Sequence, residues 1–199
     1  MREKSKTGVY NLRNLFFLSI LCLVFSPLQS QENKEYTQSV GRFNFLNPGV
    51  EVEFPTGKTT AFSAGLGIGY GSSYPDLDTS TKSGWIYVVA PFLDVQHKWF
   101  YNFLKREANG KNTNFNSANF VSARMLVRGE SMSDNIERTS SYDYAIGPTW
   151  GIQRNYGILH LLLDVGPIYY FDAKGNGNFF PIMVQLNLGL NLWKQKGSR

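Results

Sequence analysis

His160 and Asp164 stand four residues apart in the run Leu159-His160-Leu161-Leu162-Leu163-Asp164-Val165. That run alternates as a strand does, which puts both side chains on one face. A carboxylate beside an imidazole can hold the ring as a general base. Hydrolytic or acyl-transfer chemistry also needs a nucleophile, and no serine on a neighbouring strand is placed to serve His160. His97 is the other histidine and ends a different strand among aromatics. Two histidines without a third ligand nearby do not make a metal site. Gly65, Gly67, Gly69 and Gly71 are spaced by two, so they line a strand and do not cradle a phosphate. The residues themselves thus imply no catalytic group, no cofactor and no metal.

The remaining charges follow the same alternation. Glu51, Glu53, Asp94, Arg124, Arg128, Asp143, His160, Asp164 and Gln185 all lie opposite apolar stripes. The stripes are Val50–Phe54, Phe62–Tyr70, Trp85–Val95, Val121–Val127, Tyr142–Ile152, Leu159–Phe171 and Phe180–Leu192, each apolar at every second residue. With Tyr36–Phe45 as a first strand joined through Asn47-Pro48-Gly49, they make eight. The connections include tight turns at Pro55–Lys58 and Arg154–Gly157 and long polar loops at 72–83 and 129–139. Lys98–Asn114 reads as a long turn in which Trp99–Ala108 could form a short helix. This layout predicts an all-β fold, an antiparallel transmembrane β-barrel of about eight strands.

Alternation alone fits a soluble barrel as well, with its apolar face inward. The charged residues decide between the two. All eleven lysines fall in the N-terminal segment, loops, turns or termini, and a water-facing strand surface should carry several. Aromatic residues gather at strand ends, as they do at membrane–water interfaces. Tyr70, Trp85, Tyr87, Tyr142, Tyr144, Tyr169, Phe171 and Phe180 would form one girdle, and Trp99, Trp150, Tyr156 and Trp193 the other. The polar stripe would then fill the lumen. Counting strand register backward from Arg128 near Ser140 pairs Arg124 with Asp143; the same counting pairs Asp164 with Gln185 and sets His160 between Gly151 and Gly189. Pro91, Pro148 and Pro167 fall on the outward face, where bulges must accommodate them.

Residues 1–30 read as a cleaved signal peptide, and 31–199 as the barrel domain. Arg2, Lys4, Lys6 and Arg13 precede the apolar run Leu15–Phe25, which is too short to span a bilayer. Cys22, the one cysteine, lies in that run behind Ile20 and Leu21, which excludes a lipidation site and leaves no disulfide. The formal charge of +5 falls to sixteen basic against fourteen acidic residues beyond position 30, so nucleic-acid binding is not expected. Mean hydropathy of −0.26 excludes a bundle of transmembrane helices but not a barrel.

The segment Phe43–Gly71 (FNFLNPGVEVEFPTGKTTAFSAGLGIGYG) resembles the opening hairpin of small outer-membrane β-barrel proteins of Bacteroidetes-type bacteria. Tyr101–Arg106, Gly110–Thr113 and Asn116-Ser117 resemble a recurring element of the same group. The resemblance implies fold and an outer-membrane location, with lipids as neighbours, and implies no reaction or ligand. The expected role is structural, or binding of an extracellular ligand or envelope protein through loops 72–83 and 129–139. A lipid-modifying enzyme, a narrow channel and an envelope-complex subunit are the alternatives.

Overall fold

The computed structural model describes residues 37–71, 87–135, 138 and 140–195. The segment 1–30, Tyr36, the 72–83 loop and Trp85 lie outside them. Among the described residues there are nine strands: β1 (Ser39–Asn44), β2 (Gly49–Gly57), β3 (Thr60–Gly71), β4 (Val88–Trp99), β5 (Asn119–Arg128), β6 (Ser133–Asp134), β7 (Asp143–Tyr156), β8 (Leu159–Asp172) and β9 (Gly177–Gln195). Every pairing is antiparallel. β1 pairs with β2 on one edge and β9 on the other, and β3 pairs with β4, so eight strands close into a ring. β6 adds two residues to the start of β4. Ser39 faces Gln195, so the chain enters and leaves the ring at the same end, called here the near end.

Alternation in sequence becomes alternation in burial. Glu51 and Glu53 point into the ring of strands while Val50 and Phe54 point out. Leu66 and Val184, 59% and 63% exposed, belong to a continuous outward apolar surface, whereas Glu53 is wholly enclosed. No Asp or Glu lies on the outward strand faces among the described residues; Arg154, at the near end, is the one Lys or Arg there, whereas Lys194 sits opposite inward-facing Val40 and donates to Asn114.

Three connections differ from the sequence reading. β4 continues past Val95 to Trp99, because Gln96–Trp99 keep pairing with Thr60–Ser63 on one side and Val121–Arg124 on the other. Lys98 is therefore a strand residue, pointing inward and fully buried, and not part of a turn. The helix expected at Trp99–Ala108 is only α1 (Phe103–Ala108). The turns at 55–58 and 154–157 are tighter than expected, since β2 runs to Gly57 and β7 to Tyr156.

β9 shifts register between the Gly166–Met183 and Ile168–Phe180 pairs, gaining one residue at Pro181–Ile182. Proline has no N–H to give the ladder, and a bulge is where a strand can accept it. One extra residue reverses the face of everything beyond it. Phe180, expected in an outward girdle, turns inward opposite Ile168 and packs against the buried cluster of Val88, Ala90, Leu126, Ala145, Ile168 and Tyr170, and Phe179 points out instead.

Pro148 and Pro167 are accommodated differently. The β7–β8 register is the same above and below them and places the two prolines opposite each other, with pairing suspended between. The strands close up there instead. A Cβ on Gly166 would lie 2.1 Å from the Pro148 carbonyl oxygen, and one on Gly147 would lie 2.2 Å from the Pro167 oxygen. Gly166→Ala should thus force the two strands apart and cost about 1–3 kcal/mol, as overpacking does. Gly65→Ala meets its nearest atom at 3.7 Å and serves as the control. Equal denaturant midpoints for the two variants would refute the close approach.

The ring is uneven in height. β1 has 6 residues and β2 has 9, against 19 in β9. Their turn is tied to its neighbours by the Phe45 amide donating to Leu188 O (2.7 Å) and the Ile68 amide donating to Pro48 O (2.8 Å). Toward the far end beyond that turn, β3 and β9 have no strand partner on their facing edges among the described residues.

Candidate functional site

The interior of the ring is layered. Toward the near end sits an apolar floor of Ala61, Phe100, Phe103, Ala118, Phe120 and Leu162. Phe100 and Phe120 meet edge to face at 5.9 Å. A second apolar cluster, Val88, Ala90, Leu126, Ala145, Ile168 and Tyr170, lies toward the far end. Two charged groups lie between them, so the lumen is not polar throughout.

The larger group joins Arg42, Glu51, Glu53 and Lys98. Arg42 Nη1 lies 3.2 Å from Glu51 and 3.3 Å from Glu53. Lys98 Nζ lies 2.9 Å from Glu53 and 3.3 Å from Glu51. Two cations and two anions alternate, and each charge is neutralised where water is scarce. The chain between β4 and β5 folds back to complete them. Its 3-10 turn (Asn114–Asn116) presents the Phe115 carbonyl to Arg42 Nη2 at 2.9 Å, and the Asn116 amide donates to Glu53. Gln153 bonds Lys98 through its oxygen and the Asn116 carbonyl through its nitrogen. Phe115 and Asn116 have φ of 53° and 59°, a left-handed conformation that L residues hold only when surroundings enforce it. This segment plugs the near end.

The second group centres on Arg124. It grips Asp94 with two hydrogen bonds of 2.7 and 2.8 Å and reaches Asp164 at 3.4 Å. Gln96 donates to both carboxylates, at 3.4 and 3.5 Å. The expected Arg124–Asp143 pair does not form. Arg128 faces Asp143 across the ladder, and Arg124 faces Gly147, three residues from the register counted in the sequence. The 129–142 segment spends residues on β6 and its own turns, so β7 starts later. Asp143 pairs with Arg138 instead.

Asp164 does face Gln185, and His160 does face Gly189. On its other side His160 meets Asn155 rather than Gly151, and its Nδ1 lies 3.0 Å from Asn155 Oδ1. Asp164 is engaged by Arg124, so His160 has Asn155 and not a carboxylate as its orienting group. Among the described residues no cluster of three His, Cys, Asp or Glu could hold a metal. A void of about 20 Å³ between the two charged groups has room for one water.

Aromatic side chains stand at both ends of the outward surface among the described residues. Tyr70, Tyr87, Tyr142 and Tyr169 are exposed toward the far end, with Tyr144 and Phe171 stacked at 5.2 Å. Trp99, Trp150, Tyr156 and Trp193 are exposed toward the near end. Tyr101 joins them, accepting from Trp150 Nε1 at 2.9 Å. Sequence reasoning missed Arg42, Lys98 and Tyr101. Counting outward from the Asn47-Pro48-Gly49 turn sets Arg42 opposite Glu51, so a signal for Arg42 was present.

No protein-family model, curated protein or solved structure matches the chain. Its class rests on its own geometry: an all-β chain whose eight antiparallel strands form one closed ring, apolar outside and ion-paired within.

Proposed function

We propose that the chain is an integral outer-membrane β-barrel that does not conduct ions and acts through its wall and outer loops. The observation that carries this reading is the inversion of the usual polarity. A water-soluble ring would bury its apolar faces and show its charges. Here the outward faces are apolar over their middle and rimmed by aromatics, and the carboxylates lie inside. Lipid is the solvent that suits such a surface. The location follows from the same argument together with the apolar N-terminal segment.

The plug favours a structural or binding role over a channel. Arg42, Glu53, Gln153 and the Phe115 carbonyl close the near end with mutual hydrogen bonds. The protein should sediment with outer membranes, resist carbonate extraction and run anomalously on gels unless boiled. In planar bilayers it should give no unitary current. Recovery in the soluble periplasm would overturn the membrane reading, and steady currents would overturn the closed one.

A further inference from the structure

Among the described residues the short β1–β2 hairpin leaves an opening in the side of the ring. A cavity of about 320 Å³ occupies it. Its lining mixes the two faces of the sheet. Arg128, Leu126 and Met183 reach it from inside, and Tyr70, Val184 and Leu186 from outside. A cavity that touches both faces passes through the wall. Leu46 and Asn47 of the hairpin turn form its sill.

The inner end of this passage carries Arg128, a cation that forms no ion pair among the described residues although it stands across the ladder from Asp143. Arg42, Lys98 and Arg124 each have carboxylate partners, and Arg138 has Asp143. Arg128 is half-buried, and among the described residues it makes no ion pair or side-chain hydrogen bond. A guanidinium removed from water without a counter-charge is costly. The walls from there to the exterior are apolar along Leu126, Met183, Val184 and Leu186, with Asn47 and Gln185 as polar breaks.

From this geometry we infer that the opening between β3 and β9 binds a single-chain anionic amphiphile of the fatty-acid type, its carboxylate on Arg128. The head supplies the missing counter-charge as a two-pronged acceptor for the guanidinium. Its first methylenes pass Leu126 and Met183, and the rest of the chain leaves over Val184 and Leu186 along the outward apolar surface. The volume is at the lower end for small-molecule sites, which suits a head and the start of a tail. This inference rests on the membrane reading, because the tail needs an apolar medium outside.

The test uses the chain inserted in phosphatidylcholine vesicles and a laurate bearing a photoactivatable diazirine. Flotation with the vesicles is scored first, and a chain that does not float refutes both the membrane reading and this site. For a chain that floats, crosslinks should concentrate on Leu46, Met183 and Leu186, and unlabelled laurate should displace them. Dodecanol, which has the tail without the charge, and acetate, which has the charge without the tail, should not. Arg128→Gln should raise the laurate needed for displacement roughly tenfold or more, the loss expected for a charge-assisted bond. Leu46→Trp, which fills the sill and touches no ion pair, should reduce labelling independently. Labels spread evenly around the ring, or unchanged in both variants, would overturn the site while leaving the membrane reading intact. Displacement by acetate would overturn the amphiphile.

Discussion

Arg42→Leu should destabilise the ring of strands by about 3–5 kcal/mol, read from the urea midpoint of refolding in detergent micelles. The variant leaves Glu51 and Glu53 with Lys98 as their one cation, and Glu53 and Lys98 have no exposure to water. It also releases the Phe115 carbonyl, which Arg42 holds at 2.9 Å. Arg42→Leu combined with Glu51→Leu restores charge balance and should recover much of the loss. The comparison separates two explanations. If lost packing explained the effect, the double variant would be worse than the single one. A midpoint for Arg42→Leu within error of wild type would show that water reaches the network and screens it.

Leu163→Arg is expected to cost about 2–4 kcal/mol for insertion into a bilayer, because Leu163 points outward at mid-strand, opposite Leu186 on β9. Ile158→Arg, at the exposed near-end turn between β7 and β8, should cost at most about 1 kcal/mol. The difference between the two positions measures depth, since charge and side-chain length are the same. In water the two arginines would be nearly equivalent. Equal unfolding midpoints from vesicles would therefore remove the membrane from the account.

Period-2 patterning made the strands and their faces legible before any coordinates, because a sheet with unlike solvents on its two sides must alternate. Glu51, Glu53, Asp94, Arg124 and Asp164 all point inward as that pattern requires. Pairing was less legible, and the reason is local. Between β5 and β7 the chain spends residues on β6, which no periodicity announces, and the Arg124 register slipped by three. Between β8 and β9 the count survived for Asp164 and Gln185 but failed beyond Pro181, where the bulge reversed Phe180. Lys98 was misplaced for a different reason. A lysine reads as surface unless its counter-charges are known, and Glu51 and Glu53 lie more than forty residues away in sequence. The plug was invisible because Asn114–Ser117 has no pattern of its own; its conformation comes from what it touches.

The four-charge network also has a chronology. Arg42, Glu51 and Glu53 come from the first hairpin, which alone carries one negative charge too many. The neutralising Lys98 arrives with β4, and the Asn191 oxygen that accepts from Arg42 comes from β9, 149 residues along the chain. Neither partner is in place until distant strands have docked, so a partly zipped sheet keeps an uncompensated carboxylate facing its interior. Early intermediates are thereby denied stability that only the finished circuit possesses. Such long-range closure makes folding slow, and it makes the last seam, β1 against β9, the step at which the whole assembly becomes hard to reverse.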